Sequence, residues 1–389
     1  MFKESVEKLE QLGAEITTRE IRQQPELWSE TLQTYKERES EIQQFLAAII
    51  SEHQRIRVIF TGAGTSQYVG DSITPYLKQV NDERVWDFRS VGTTDLVSNP
   101  RAYFQADIPT LLVSFARSGN SPESVAAVEL AKTIVDELYQ LTITCAPDGA
   151  LAQNAQGDER NLVLLQPERS NDAGFAMTGS YSCMLLTALL TFDPSDLNAK
   201  STWTRLAIDM GQNVINREEE IAAHLSGDFD RVIYLGSGGF AGLARETQLK
   251  ILELTAGKIA TAFDSSLGFR HGPKSFVNET SLAFVYVSND EYTRAYDLDM
   301  LNELASDQIA QKVVAIRVED NDSLKSESFD FTSDYKGVPD AYLTLPYVVF
   351  GQTVSLLAAI KVGNTPDTPS ATGTVNRVVK GVIIHPFSK

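Results

Sequence analysis

Short β-branched and aromatic runs alternate with longer helical patterns over most of the chain. Arg57-Val58-Ile59-Phe60-Thr61 closes in Gly62-Ala63-Gly64, and Arg231-Val232-Ile233-Tyr234-Leu235 closes in Gly236-Ser237-Gly238. A run of this kind ending in Gly-x-Gly predicts a buried parallel strand that turns sharply into a helix. Two copies predict two similar α/β halves, each with a helix N-terminus at which an anionic group could sit.

The rest of the pattern fits that duplication. Residues 1–50 read as helices, with apolar positions from Pro25 to Leu32 and again through Glu41-Ile42-Gln43-Gln44-Phe45-Leu46. Strands are predicted at 57–61, 85–89, 110–115, 141–145 and 161–165, then at 231–235, 259–263, 281–287, 312–318 and 341–345. Helical stretches such as 121–139 between them are the signature of mostly parallel sheets. Residues 172–191 read as a loop feeding a buried helix, 203–225 as one long connecting helix, and 363–369, with two prolines, as a loop. The chain then divides into a helical segment (1–50), two α/β domains (51–200 and 201–362) and a tail (363–389).

Composition narrows the class. With 389 residues, 42% hydrophobic and 22% charged, the chain is ordinary globular material for two domains. Its net charge is −18, from 52 acidic against 34 basic residues, and no basic block occurs, which excludes a nucleic-acid partner. Cys145 and Cys183 read as core residues, since neither has a disulfide framework or metal-ligand spacing around it. The charged start is no signal peptide, and no stretch reaches the roughly 18 apolar residues of a membrane span. A cytoplasmic enzyme with no membrane partner is the expectation.

Candidate chemistry sits in four places. Ala116-Arg117-Ser118-Gly119-Asn120-Ser121-Pro122 follows the third strand. Its amides, the hydroxyls of Ser118 and Ser121 and the Arg117 cation suit a bound phosphate. The same residues also make a helix-capping turn, Ser121 capping and Pro122 opening the helix. As a dinucleotide fingerprint, Gly62-Ala63-Gly64 fails at Gln67, while Gly236-Ser237-Gly238-Gly239-Phe240-Ala241 meets the looser form. Asp87 and Asp264 are the distant acidic partners that a nicotinamide-dependent dehydrogenase would need. Along 243–254, Glu246, Lys250 and Glu253 share one stripe of an otherwise apolar helix. That stripe is either an ion pair on a solvated edge or a carboxylate placed for acid–base work beside a lysine. His271 is held on a turn by Gly272-Pro273, from which it can project into a site. His53 and His224 read as surface residues in polar helical surroundings, and His385 is uncommitted.

Together these motifs resemble the sugar isomerase (SIS) family, across both halves. In the isomerase half of glucosamine-6-phosphate synthase, a Cys-Gly-Thr-Ser turn is similar to Ala63-Gly64-Thr65-Ser66. Its Ser-Gln-Ser-Gly-Glu-Thr phosphate loop is similar to Ala116-Arg117-Ser118-Gly119-Asn120-Ser121. Its Leu-Lys-Leu-Lys-Glu motif resembles Leu249-Lys250-Ile251-Leu252-Glu253, and its Lys-His-Gly-Pro motif resembles Arg270-His271-Gly272-Pro273. Its C-terminal Asn-Leu-Ala-Lys is loosely similar to Asn376-Arg377-Val378-Val379-Lys380, with one extra residue. The length, the loop around Ser118 and the turn around His271 most resemble the tagatose-6-phosphate ketose/aldose isomerase group, some of whose members are galactosamine-6-phosphate deaminases.

The resemblance implies two flavodoxin-like three-layer α/β/α domains with parallel sheets, preceded by N-terminal helices. It implies Glu253 as the carboxylate moving a proton between C1 and C2, Lys250 beside it, and His271 opening the sugar ring from across a dimer interface. Gly64, Thr65, Ser66, Arg117, Ser118, Ser121 and Lys380 would bind the phosphate or the sugar. The implied substrate is a hexose-6-phosphate or amino-hexose-6-phosphate, with no cofactor or metal, in a homodimer or larger homo-oligomer. Some positions depart from the pattern. Arg117 replaces a neutral glutamine, Ala116 replaces a hydroxyl, and Met177 stands near a substrate-contacting serine. With no glutaminase domain, glutamine-dependent amination is not expected. A non-enzymatic phosphosugar-binding regulator should lack the glutamate and histidine or carry a DNA-binding domain, and neither holds. In the second half, Val287-Ser288-Asn289-Asp290 stands where the first has its phosphate loop. Its acidic residue predicts poor anion binding there.

Overall fold

The computed structural model describes residues 1–389 except Val378, Lys380 and Lys389, and it forms two compact units. The first-sheet unit comprises Leu27–Asp172, Gly179–Lys200 and Val375–Lys389. The second-sheet unit comprises Met1–Glu26, Ala173–Thr178 and Ser201–Thr374.

The first-sheet unit holds β1 (Ile56–Thr61), β2 (Trp86–Ser90), β3 (Thr110–Ala116), β4 (Leu138–Thr144) and β5 (Asn161–Leu165), all parallel, in the order β2-β1-β3-β4-β5. The second-sheet unit holds β6 (Arg231–Gly236), β7 (Ala260–Asp264), β8 (Ser281–Tyr286), β9 (Lys312–Val318) and β10 (Glu327–Phe331) in the equivalent order β7-β6-β8-β9-β10. The central strands are buried along their length because helices cover both faces, as parallel sheets require. Alternation sends neighbouring residues to opposite faces. Ile59 and Leu112 meet Ala127 and Ala131 of helix Pro122–Ile134, whereas Phe60, Phe88 and Phe115 stack together with Phe192 closing on them. The second-sheet unit repeats this. Ile233, Ala283 and Ala315 pack with Met300, Leu301 and Leu304, while Tyr234, Phe284 and Tyr286 form an aromatic layer with Phe240, Tyr347 and Phe350.

Four expectations change. Residues 341–345 are not a strand but part of helix Asp340–Lys361, whose side chains are buried almost all round, so no helical stripe marks it in sequence. The fifth strand is instead Glu327–Phe331, where Phe329 and Phe331 alternate with polar neighbours. Helix Asp340–Lys361 is also long and apolar enough to cross a membrane, contrary to the sequence expectation, and most of it is buried inside the protein. The single connecting helix over 203–225 is two helices, Leu197–Asn216 and Glu218–His224, broken where Arg217 leaves the helical range (φ −102°, ψ 25°). His224 is buried, its Nδ1 2.8 Å from Glu327 Oε2, instead of lying on the surface.

Candidate functional site

The two copies of the glycine turn match in backbone detail. Gly64 (φ 56°, ψ −126°) opens helix Thr65–Val80, and Gly238 (φ 57°, ψ −127°) opens helix Gly239–Leu254. A side chain rarely tolerates this conformation, which explains the glycine in both copies. Thr65 and Ser66 lie buried in the first turn after Gly64.

β1 and β3 meet at the topological switch point of the first sheet, where open α/β sheets bind ligands beyond the strand ends. The loop leaving β3 is built around Gly119 (φ 67°) and packs so closely on Gly149 that a Cβ there would meet Ser118 O at 2.3 Å. Ser118 Oγ accepts from the Asn120 amide at 3.4 Å, and Asn120 Oδ1 accepts from the Ala150 amide at 2.9 Å. Ser121 occupies the cap position of helix Pro122–Ile134, yet its side chain makes no capping bond. Among the described residues, the amides of Ser118, Gly119 and Ser121 and the Ser121 hydroxyl have no partner. Arg117 is buried, and its Nη2 donates to the Arg377 carbonyl.

The counterpart in the second-sheet unit is filled from within. Asn289 N donates to Asp340 Oδ1 at 2.7 Å, and the Ser288 hydroxyl donates to Asp340 Oδ2. Ser288 N donates to Asp297 Oδ2 at 3.1 Å, while the Ser237 and Ser266 hydroxyls reach Asp297 Oδ1. Burial raises the Asp297 carboxyl and pushes that of Asp340 up to about 6. Asp290, the acidic residue noted in the sequence, is a helix cap that accepts from Thr293 N, so Asp340 and Asp297 are the groups that occupy this loop. Neither was read from the sequence. Asp340 stands just before the segment 341–345 that reads as a strand, and nothing local ties it to Ser288.

The charged stripe on helix Gly239–Leu254 is not a solvated edge. The Glu246 side chain is 0% exposed and that of Lys250 1%, while Glu253 is partly open at 23%. Lys250 Nζ lies 2.5 Å from Glu253 Oε2 and 3.5 Å from Glu246 Oε1. One buried ammonium thus bridges a deep carboxylate and an accessible one. His271 is exposed at the end of a short helical turn, Gly268–Arg270. That turn is anchored on helix Glu291–Asp307. Arg270 Nε lies 2.7 Å from Glu303 Oε2, and Lys274 Nζ contacts Glu303 and, at 2.6 Å, Asp307.

The acidic partners of a dinucleotide site are otherwise engaged. Asp87 pairs with Arg89 at 2.8 Å and Arg57 at 3.6 Å, and Asp264 accepts from the Ser265 amide. Lys380 lies outside the described residues.

A family model described as "SIS domain" matches residues 51–192. The D-galactosamine-6-phosphate deaminase AgaS of Escherichia coli is 44% identical over 373 residues, covering 95% of this chain and 96% of that protein. The D-galactosamine-6-phosphate deaminase AgaS of Shewanella sp. (strain ANA-3) is 39% identical over 386 residues, covering 99% and 95%. The solved structure of tagatose-6-phosphate ketose/aldose isomerase from Escherichia coli superposes with a TM-score of 0.87 at 41% identity, covering 96% of this chain and 97% of that one.

Proposed function

The chain belongs to the SIS-domain sugar isomerase family, and from that premise we propose that it is a hexose-6-phosphate deaminase or isomerase acting on galactosamine-6-phosphate or tagatose-6-phosphate. Deamination is the favoured reaction, in line with the names of the two AgaS relatives. The observation that carries the reading is the open loop at the first switch point. Free amides and a free hydroxyl precede a helix there, while the equivalent loop of the second sheet is already occupied by carboxylates.

In this reading Ser118, Ser121 and the loop amides hold the phosphate, with Arg117 adding positive charge and Gly64, Thr65 and Ser66 lining the neighbouring turn. His271 assists ring opening, which exposes the C1 aldehyde. Glu253 takes the proton from C2 and returns it to C1, through an enediol or, when C2 carries nitrogen, an enolamine. With the amino sugar, water then hydrolyses the C2 imine, so ammonia leaves and the ketose phosphate remains. The Lys250 ammonium, 2.5 Å from Glu253, compensates the carboxylate's charge and fixes its rotamer. The family resemblance further supports a cytoplasmic homodimer or larger homo-oligomer as the working form.

Glu253→Gln tests the central assignment. The amide keeps the shape but cannot act as a base, so kcat should fall by about 10²–10⁴ while galactosamine-6-phosphate still binds. Wild-type turnover in that variant would refute the role given to Glu253.

A further inference from the structure

A cavity of about 400 Å³ opens in the first-sheet unit, between helix Gln24–Glu52 and the turn that joins helix Gly179–Phe192 to helix Leu197–Asn216. Glu39, Gln43, Leu46, Ala47 and Ile50 line one wall, at spacings that put them on one face of the long helix. Trp86, the first residue of β2, stands at the N-terminal edge of the sheet, whereas the Ser118–Ser121 loop leaves the C-terminal end of β3. With parallel strands these are opposite edges, so the cavity is separate from the proposed phosphate site. Its volume falls in the range of about 300–1,000 Å³ that small-molecule sites occupy.

The charged groups in its walls are held in place by the fold itself. Lys200, 3% exposed, commits its three protons to the Tyr35 hydroxyl at 3.1 Å, the Leu190 carbonyl at 2.9 Å and the Asp193 carbonyl at 3.4 Å. Asp193 is as deeply buried, and its carboxylate accepts from the Tyr76 hydroxyl at 2.8 Å and the Ser195 amide at 2.9 Å. Asp196 Oδ1 accepts from the Ala199 amide at 2.8 Å. Asn81 donates its amide protons to the Leu77 and Phe192 carbonyls at 3.0 and 3.1 Å, which leaves its oxygen as the group it can offer. Glu39 is half-buried and, among the described residues, has no hydrogen-bond or ion-pair partner. Gln43 and Ser195 can serve as donors or acceptors. The cavity therefore presents three carboxylates and an amide oxygen, while its one ammonium has no proton to spare. Such a lining takes hydrogen-bond donors and positive charge. The Trp86 ring, stacked with Phe88 at 5.9 Å and met edge-on by Phe192 at 6.2 Å, adds a rigid aromatic face that attracts cations.

We propose that this cavity binds an unphosphorylated amino sugar, with its ammonium group among the carboxylates of Glu39, Asp193 and Asp196 and its ring lying on Trp86. The ammonium balances negative charge that Lys200 alone leaves in excess. Sugar hydroxyls donate to the carboxylates and to the Asn81 oxygen, and the C–H face of the ring covers the apolar surface of Trp86, Ala47 and Ile50. A phosphorylated sugar is excluded, because its dianion would face the same three carboxylates. The ligand chemistry is thus the opposite of that at the Ser118–Ser121 loop, and it stands independently of the reaction proposed there.

Trp86 supplies the readout, since the other two tryptophans, Trp28 and Trp203, lie outside the cavity lining. Galactosamine titrated into the wild type should change tryptophan fluorescence with a dissociation constant of about 1 mM, the order expected for a ligand of that size. Trp86→Phe should abolish the change. Glu39→Gln should weaken binding about tenfold, the effect of losing one charge-assisted hydrogen bond, and leave turnover of galactosamine-6-phosphate unchanged. Ser118→Ala with Ser121→Ala should bind galactosamine as the wild type does. Galactose, which lacks the ammonium, and 1,5-diaminopentane, which lacks the ring, should each bind at least about tenfold more weakly. No fluorescence change up to roughly 50 mM galactosamine, far above that constant, would overturn the site. Unaltered binding in Glu39→Gln would do the same, as would loss of binding in the serine double variant, which would put the sugar at the phosphate loop. Galactose or diaminopentane binding as tightly as galactosamine would overturn the ligand class. The readout needs no turnover, so a chain inactive on galactosamine-6-phosphate would refute the proposed function and leave this test intact.

Discussion

Replacing Lys250 with methionine isolates the charge balance of helix Gly239–Leu254. The substitution keeps the length of the side chain and removes its ammonium. Glu246 is then left with no exposed surface and without the cation 3.5 Å away. Breaking a buried ion pair by deleting one partner costs about 3–5 kcal/mol, because the surviving charge loses that counter-charge at a place water does not reach. Glu253 contributes less to that cost, because at 23% exposure it can recover solvent. Replacing both members, Glu246→Leu with Lys250→Met, removes the buried charge altogether and should return stability to within about 1–2 kcal/mol of the wild type. Urea unfolding followed by circular dichroism reads the difference. For a slope of about 1–3 kcal/mol per molar urea, the single variant should lose at least roughly 1 M in midpoint, and the double variant should regain most of it. Both should lack turnover, since Glu253 no longer has its ammonium. A Lys250→Met protein as stable as wild type, or a double variant no better than the single, would refute the description of this stripe as a buried charge pair.

Three further outcomes follow from the two loops. The Asp340 carboxyl, pushed up to about 6 in the folded protein against about 3.9 when unfolded, holds its proton to higher pH in the native state. Its contribution to stability is therefore full below about pH 4 and lost as pH rises through about 6, by roughly 3 kcal/mol. Asp340→Asn should flatten that window in denaturation curves taken at several pH values, and an unchanged pH slope would contradict it. Ser118→Ala with Ser121→Ala should raise KM for galactosamine-6-phosphate by about tenfold to a hundredfold, the loss expected for hydrogen bonds to a charged group, and an unaltered KM would remove these hydroxyls from the phosphate site. Inorganic phosphate should raise the unfolding temperature of the wild type and do so less in this double variant, as measured by thermal shift.

The duplication was legible because each half pairs a β-branched run with a glycine whose backbone conformation only glycine readily takes, and both signals are local. The third-strand loop and the Glu246–Lys250–Glu253 stripe were legible for the same reason, each lying within one element. What local pattern left out was set by distance along the chain. Helix Asp340–Lys361 has no polar face to betray its period, and its first residue reaches back to Ser288 and Asn289. His224 looked exposed because the strand bearing Glu327 had not been placed against it. Arg377 gave no sign of meeting Arg117, which is far away in sequence and joined to it only by the fold. The stripe shows the limit of spacing most clearly. It brought the three charges together on one helix face, and only packing decides that two of them lie out of water.

The most direct measurement is to incubate the purified protein separately with galactosamine-6-phosphate and with tagatose-6-phosphate, following ammonia and the change between aldose and ketose. The account predicts ammonia and a ketose phosphate from the amino sugar. Interconversion of tagatose-6-phosphate alone would place the chain on the isomerase side of the same proton transfer. Turnover of neither compound would contradict the account.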